Sequence, residues 1–395
     1  MRLTAAVVAL AIVVAACTEQ LTTPGTCPTF CPGGQTSFRD TVLSAVPDGD
    51  SSFTGYLAGA NLVSVLASSG GQYGENRAVI RFLPRGDSVL VADTNRAFTV
   101  DSMTLQFGIQ ARDTTVSNFV LEIYRLPRTV DSAIGLDSLD ALMTPANLLA
   151  EVSNPVGFSG IFHVTFSGDS LARLAFAPAD SEILEVGLRV RADGPTAARI
   201  GTPPSGTNAP TLGTYVTAIG VPDSLKTTSK TTISDLFFTV GPSVANTPSS
   251  LLAVGGIPVA RSFIRFALPP YLRDSATIIR ATLELHGDQP VIGIPADTAQ
   301  LVANTLLADF GEKSPVIVGL GGVATLLPGT QDVSIEVASL VQAWQGSAPT
   351  PSIIRLALSQ EGGTFLFPVF RSTRSPGGAP TLHITYRPPF AFEGY

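Results

Sequence analysis

The sequence predicts an all-β fold built as two tandem sandwich domains, and three observations predict it. The first is composition: of 395 residues 45% are hydrophobic and only 14% charged, with 37 Gly and 30 Pro, which favours short strands punctuated by turns over long helices. The second is alternation. Phe119-Val120-Leu121-Glu122-Ile123-Tyr124 and Ala281-Thr282-Leu283-Glu284-Leu285-His286 carry the period-two pattern of strands with one buried face. The third is repetition: Ala-Pro-Thr-Leu stands at Ala209–Leu212 and again at Ala379–Leu382, each time after a Gly-containing turn and before a tyrosine-bearing run. Copies about 170 residues apart fit two domains laid end to end, each long enough to bury a core.

In chain order, Arg2 precedes an apolar run, Ala5 to Ala16, that ends Val14-Ala15-Ala16-Cys17. This resembles a bacterial lipoprotein signal: the run is too short to span roughly 30 Å of hydrocarbon, and small residues stand where a signal peptidase cuts. A signal peptide over 1–16 and lipid attachment at Cys17 follow, anchoring the protein in the bacterial cell envelope, at the outer membrane or cell surface. An ordinary secretory signal with a chance cysteine and an uncleaved anchor are the competing readings. Residues 17–35, rich in Thr, Pro, Gly, Gln and Cys, cannot bury enough surface to fold alone and read as a tether. Cys27 and Cys31 inside it suit a small disulfide loop in an oxidising compartment; a metal would need about four ligands, and no His is near.

The first domain is expected over 36–219, with strands at Arg77–Leu83, Ser102–Ala111, Phe119–Arg125, Phe162–Phe166 and Leu184–Ala192. Ala133 to Met143 is Leu- and Ala-rich and predicts a helical turn or two lying across the sheet, stopped by Pro145. Residues 220–231, polar and rich in Ser, Thr and Lys, read as a linker. The second domain is expected over 232–388, followed by a tail over 389–395. Its strands fall at Arg261–Phe266, Ala281–His286, Asp332–Val337, Ile353–Leu358, Phe365–Phe370 and Thr381–Tyr386. Val337, Leu340, Val341 and Trp344 stand at helical spacing, predicting a one- to two-turn helix pressed on the sheet and ended at Gly346.

The domains read as diverged copies. Arg77–Phe82 stands where Arg261–Phe266 stands, Val164–Leu171 where Val333–Leu340 stands, and Arg39-Asp40-Thr41 answers Ser234-Asp235-Leu236 at the domain starts. Gly168 in place of Val337, and Ala175 in place of Trp344, predict a shorter helix in the first copy. Pro210 and Pro380 are expected at strand starts, where a missing N–H costs least, with Leu212 and Leu382 turned inward. Tyr386 lies one residue further from its proline than Tyr215 does from its own, which predicts a bulge in the first closing strand.

The motifs of the second domain, Arg-Ser-Phe-Ile-Arg-Phe, Ile-Arg-Ala-Thr-Leu-Glu-Leu, Val-x-Ile-x-Val-Ala-Ser-Leu-Val-Gln-Ala-Trp, Phe-Arg-Ser-Thr-Arg and Ala-Pro-Thr-Leu-x-Ile-x-Tyr, in that order, resemble the DNRLRE-domain family. The resemblance implies a jelly-roll-like sandwich similar to carbohydrate-binding modules of bacterial surface and secreted proteins, some associated with acidic polysaccharides. The literal Asp-Asn-Arg-Leu-Arg-Glu string is absent, and no ligand residue carries over by motif.

Function is narrowed by exclusion. A net charge of −7 with scattered Lys and Arg argues against nucleic acid. His163, His286 and His383 are the only histidines, each in an expected strand, and no nucleophile elbow, His-Glu-x-x-His or phosphate loop occurs. The expectation is a non-enzymatic, lipid-anchored surface protein whose domains bind polysaccharide or envelope glycan. An adhesive or structural stalk without glycan binding is the alternative, and a polysaccharide-degrading enzyme or accessory subunit the third reading, because a carboxylate pair need not be close in sequence. The candidate glycan contacts are Tyr56, Tyr73, Tyr271, Phe370, Arg371 and Arg374, since aromatic faces stack on sugars and guanidinium forks match carboxylates. Against that, Phe370 is expected to point inward and the two arginines to solvate an edge. Asp40 and Asp235 are candidates for a structural Ca²⁺, with turn formation or capping as their plainer role.

Overall fold

The computed structural model describes residues 38–389 except 55–62, 69–73, 154–159, 173, 175–182, 223–226, 242–246, 258, 295–296 and 347–349. The expected signal peptide and tether, Cys17, Cys27, Cys31, Tyr56 and Tyr73 lie outside the described residues.

The fold is all-β. The chain begins with β1 (Arg39–Ser44), β2 (Ser51–Thr54), β3 (Val63–Ala67), β4 (Arg77–Phe82), β5 (Ser88–Val91) and the long β6 (Thr94–Arg112). There follow β7 (Val120–Leu126), β8 (Leu148–Ser153), β9 (Gly160–Ser167), β10 (Glu185–Arg191), β11 (Ala197–Gly201), β12 (Thr211–Ala218) and β13 (Thr227–Val240). The C-terminal half comprises β14 (Leu251–Ala253), β15 (Ala260–Arg265), β16 (Thr277–His286), β17 (Ala299–Leu306), β18 (Val316–Leu326), β19 (Asp332–Glu336), β20 (Ile353–Leu358), β21 (Val369–Arg371) and β22 (Thr381–Arg387).

Two sandwiches result. In the C-terminal one, a sheet of order β1-β22-β16-β19 faces another of order β18-β17-β20-β15-β2, with Leu283, Leu285, Ile335, Trp344, Leu356, Phe370, Leu382 and Ile384 among the residues buried in its core. The N-terminal one is a single hydrogen-bonded sheet folded on itself. Residues Thr227–Ile233 of β13 pair with β12; after a bulge between Ser234 and Leu236 the same strand pairs with β4. The layers β9-β6-β12-β13 and β13-β4-β10-β7-β8 enclose Ile80, Phe82, Leu105, Phe107, Ile123, Val186, Leu188 and Leu212. Apart from β3 and β11, which extend the first layer beyond β6, and β5, which pairs with the start of β6, these orders repeat β19-β16-β22-β1 and β2-β15-β20-β17-β18. This is jelly-roll-like wiring in which the chain crosses repeatedly between sheets, with β7–β8 and β17–β18 as neighbours within one sheet.

This wiring revises the expected domain boundaries. β1 and β2, expected to open the first sandwich, close the second one: β1 pairs with β22 from Arg39↔Tyr386 to Ser44↔Thr381, and β2 pairs with β15. Residues 220–231, expected as a linker, supply the first part of β13, and 232–240, expected to open the second domain, complete the first. The physical reason is that β-branched Thr suits a strand surface, and a strand built from Thr, Ser and Lys reads as linker by hydropathy alone. The inferred match of Asp40 with Asp235 is displaced too: β1 corresponds to the part of β13 that precedes the bulge, whereas Asp235 lies within it.

The other expected elements stand. Pro210 and Pro380 directly precede β12 and β22, with Leu212 and Leu382 buried. β12 carries an irregularity against β6 between Tyr215 and Val216. The helix Ala338–Ala343 buries Leu340 and Val341, while its counterpart Asp169–Ala172 is one turn with no buried residue. The helix Leu136–Leu142 lies on the outer face of β7, where Leu139 and Met143 pack with Val79, Tyr124 and Leu126. Gly187 makes room for it, since a Cβ there would sit 2.2 Å from the Met143 methyl. One expected strand is shortened: of Phe365–Phe370 only Val369 and Phe370 fall in a strand, β21, which runs on to Arg371 and pairs with β14.

The sandwiches touch through Val65, Ala67 and Ala197 on one side and Ile257, Ile294 and Phe365 on the other. At the same seam the buried Asp297 carboxylate accepts hydrogen bonds from Thr364 Oγ1 (2.9 Å) and the Phe365 N–H (3.1 Å) and faces Arg199 Nη1 at 3.3 Å. Inside the C-terminal core, Trp344 Nε1–H donates to Thr305 Oγ1 at 2.7 Å, and its ring stacks on Phe266 with centroids 6.3 Å apart. Trp344→Ala should therefore lower stability by about 3–5 kcal/mol, read from denaturant unfolding followed by circular dichroism; a loss under about 1 kcal/mol would mean that this ring does not anchor the helix.

Candidate functional site

The candidate site is a corner of the C-terminal sandwich where Tyr271 stands exposed. Leu268-Pro269-Pro270 ends the strand path after β15, because proline offers no N–H to a ladder and suits the first turn of a helix. The short helix Pro270–Asp274 follows, anchored by the buried Leu272, and Gln345 donates to the carbonyls of Leu272 and Ala276. Tyr271, on the opposite side of that helix, is 45% exposed. Its ring rests on the ring of Tyr386, which is buried, with centroids 5.6 Å apart and planes tilted by 45°. Its hydroxyl lies 3.5 Å from Thr41 Oγ1 of β1. Arg39 is directly opposite Tyr386 in the ladder and two residues from Thr41, so register puts Arg39 on the face that carries both tyrosines. Arg39 is exposed and forms no ion pair among the described residues. The corner thus offers an aromatic face held from behind, with a guanidinium beside it that no carboxylate among the described residues neutralises.

The other residues singled out by sequence are placed elsewhere. Phe370 is fully buried. Arg371 lies in β21 with Nε 3.9 Å from Asp288 Oδ1. Arg374 is a structural clamp: Nε lies 2.8 Å from Asp48 Oδ1 and Nη1 3.1 Å from Asp50 Oδ1, and Nη2 donates to the Asp48 carbonyl at 3.0 Å. Asp50, itself buried, also accepts from the Thr373 N–H (2.6 Å) and hydroxyl (2.9 Å). Both arginines belong to the end of the sandwich where β16 finishes at His286, whereas Tyr271 sits where β16 begins opposite the end of β22. A strand of this length separates the two ends by about 25–30 Å, so the nominated residues do not form one site. Arg39 was not among them, and its only signal was its place in the ladder.

The acidic candidates are each engaged singly. Asp40 Oδ1 accepts from Thr385 Oγ1 at 2.6 Å, and Asp235 Oδ1 lies 3.6 Å from Arg81 Nε in the other sandwich. Among the described residues no group of three His, Cys, Asp or Glu side chains converges as a metal site. His286 Nδ1 is 3.4 Å from Asp332 Oδ1.

Two charged clusters line the outer face of the N-terminal sandwich. In one, Arg77 bridges Glu75 and Asp140, both at 2.6 Å, and ties the helix Leu136–Leu142 to the sheet. The hydrogen bond from Arg77, followed by its charge, lowers the Asp140 pKa. Glu122 accepts from Tyr124 Oη (2.9 Å) and Arg191 Nε (2.7 Å). Burial and then Glu122 raise the Tyr124 pKa. In the other cluster Glu185 is buried with both carboxyl oxygens lacking a hydrogen-bond partner. Burial raises its pKa to about 7, opposed by Arg81 and reinforced by Asp235.

No protein-family model matches the chain, and no curated protein matches it. Among solved structures it is similar to the C-terminal domain of the Streptococcus pyogenes antigen I/II-family protein AspA, at 10% identity over 84% of this chain and 92% of that one, with a TM-score of 0.15. A second similarity is to a structure described as BspA_C_mut, at 12% identity over 83% of this chain and 90% of that one, with a TM-score of 0.14.

Glu185 gives a pH prediction with a definite sign. Its folded pKa lies above its unfolded value, so the native state holds the proton longer. Stability from this group is complete below about pH 4.5, declines as pH rises and is gone above about pH 7. Glu185→Gln should unfold at a higher denaturant midpoint than wild type at pH 8, with the gap closing toward pH 4.5. A gap that is equal at both pH values would show that the carboxyl does not titrate differently on folding.

Proposed function

We propose that this protein is a non-enzymatic, lipid-anchored surface module of the bacterial cell envelope that binds acidic polysaccharide at the Tyr271 corner of its C-terminal sandwich. The observation that carries the reading is the exposed Tyr271 ring, backed by Tyr386 and set beside Arg39, which has no ion-pair partner among the described residues. A ring held from behind loses little freedom when a sugar face stacks on it, and an arginine without a carboxylate partner is free to take a uronate in a two-pronged contact. The motif resemblance of the second sandwich to the DNRLRE family supports the same reading. No family model matches, so that support stands on the motifs alone. The signal-like N-terminus supports the anchor, with Cys17 as the acylated residue. The same architecture suits an adhesive stalk that binds no glycan, and binding data separate the two.

Affinity electrophoresis of the chain from Thr18 onward through gels containing neutral or acidic polysaccharides tests the proposal. Retardation is expected in an acidic polysaccharide. Tyr271→Ala should weaken it by about tenfold, the scale of one lost stacking contact. Arg39→Gln should weaken it most at low salt and least at high salt. Migration unaffected by any polysaccharide, or retardation that Tyr271→Ala leaves intact, would overturn this assignment.

A further inference from the structure

We propose that residues Phe38–Thr54 are an exchangeable closing segment, which a second copy of this chain can supply, so that copies link head to tail through their C-terminal sandwiches. The argument starts from the equivalence of the two jelly rolls. In each, the strand that follows Ala-Pro pairs with an opening strand, which then crosses to the facing sheet. β12 finds that partner in β13, the next strand along the chain. β22 follows the last turn of the fold and finds it in β1 at the other end of the described chain, as the Asp40–Thr385 contact across 345 positions shows. Each closing strand thus takes the opening strand of the next repeat, and the second repeat meets that rule by closing on the first repeat of its own chain. The same rule is met if the opening strand belongs to another copy. A head-to-tail contact that fails to close within one molecule propagates between molecules.

The local structure allows the substitution. β1 is an edge of the four-stranded sheet and β2 an edge of the five-stranded sheet, so the segment can leave without opening any other ladder. Its apolar contacts are few: Ala45 is buried, Leu43 packs against the core and Phe53 sets its ring edge-on to Phe263 with centroids 5.4 Å apart, while Phe38 and Val42 are 59% and 53% exposed. What fixes the register is the polar clamp. Asp48 and Asp50 meet Arg374 and Thr373, Arg265 Nη1 donates to the Gly49 carbonyl at 2.9 Å, and Ser52 and Ser262 share a hydrogen bond of 2.8 Å. These contacts read the identity of the segment and not the molecule it comes from. Within one chain the segment has the advantage of high effective concentration, and crowding of copies at a surface removes part of that advantage. In the linked form the Tyr271 corner takes its Arg39 from the neighbouring copy.

The test uses the full chain with the three native cysteines changed to serine. Val42 and His383 face each other across the ladder, both on its exposed side, at a separation typical of disulfides. One preparation carries Val42→Cys and another His383→Cys. The two are refolded together at increasing protein concentration and oxidised. Non-reducing electrophoresis is expected to show a Val42→Cys to His383→Cys adduct of twice the 41.0 kDa chain mass, rising with concentration. Light scattering of the cysteine-free chain should show dimers and longer species under the same conditions. Asp50→Ala, which breaks the buried clamp, should speed the exchange by about tenfold or more. Monomers throughout by light scattering, for wild type and Asp50→Ala alike, would overturn the proposal, and so would oligomers that form without the mixed adduct.

Discussion

The ladder between β1 and β22 is the contact on which the rest of the architecture depends. It brings the first described strand against the last and makes the C-terminal sandwich discontinuous in sequence, with the whole N-terminal sandwich set between β2 and β14. Backbone pairing alone contributes little net free energy, because the same groups bond to water in the unfolded chain. The discrimination comes from Asp50, a buried carboxylate that receives the Thr373 N–H and hydroxyl and the Arg374 guanidinium. Charge-assisted bonds to a desolvated carboxylate outweigh exposed pairs such as Arg273–Asp274 or Arg280–Glu336. Arg374 is thereby committed to holding a strand, which is why it is unsuited to sugar recognition.

The two sandwiches solve one geometric problem differently. Both must carry an opening strand from one sheet to the facing sheet. The C-terminal sandwich does so with a turn between β1 and β2, pinned where the Ala45 N–H donates to the Pro380 carbonyl and the Val46 N–H to the Arg265 carbonyl. The N-terminal sandwich uses an unbroken strand, β13, bent at the Ser234–Leu236 bulge, with Ser234 Oγ donating to the Pro210 carbonyl. The prolines before β12 and β22 lack an N–H but keep a carbonyl, and at both crossings that carbonyl ties the incoming strand to the closing one. A bulge sharpens twist and bend at the cost of one unpaired residue; a turn achieves the same reversal with a longer detour and needs the Asp50 clamp to hold it.

Much of this fold is legible in the residues because the strands are short apolar runs bounded by turns, alternating where one face is exposed, as in β16, β19 and β22, and continuously apolar where both faces are covered, as in β4 and β20. β4, β7, β9, β10, β16, β19, β20 and β22 fall where the sequence puts them, and Val337, Leu340, Val341 and Trp344 mark the helix that seals the C-terminal core. Two features were not legible. β13 is rich in Thr and Ser, and sequence hydropathy does not separate a polar strand from a linker. β1 has no local property that assigns it to one sandwich over the other, since the repeats are similar and the closing strand of either could pair with it. Its partner is fixed by where β13 can reach first. The candidate site shares that fate: Tyr271 was legible as an aromatic after a proline pair, whereas Arg39 becomes relevant only through its register opposite Tyr386. Phe370 is buried, as its expected inward orientation requires, whereas Arg374, expected to solvate an edge, is clamped, because an arginine near a strand end looks the same in sequence whether it is free or held.

The seam between the sandwiches decides how readily the β1–β22 ladder closes within one chain. Val65, Ala67 and Ala197 pack on Ile257, Ile294 and Phe365, and Asp297, fully buried, has Arg199 as its cation across the boundary. Leaving that carboxylate buried without its guanidinium is costly, so the pair resists separation even though forming it stabilises little relative to an apolar contact. β3 and β14, which contribute to or flank this seam, are the strands that immediately follow the two crossings from one sandwich to the other. Fixing their relative position holds the end of β2 beside the groove that it fills against β15, and through β2 it holds β1 beside β22. The polar clamp supplies register and the seam supplies proximity; weakening either loosens the same ladder, the first by raising the rate at which the segment leaves and the second by lowering the rate at which it returns.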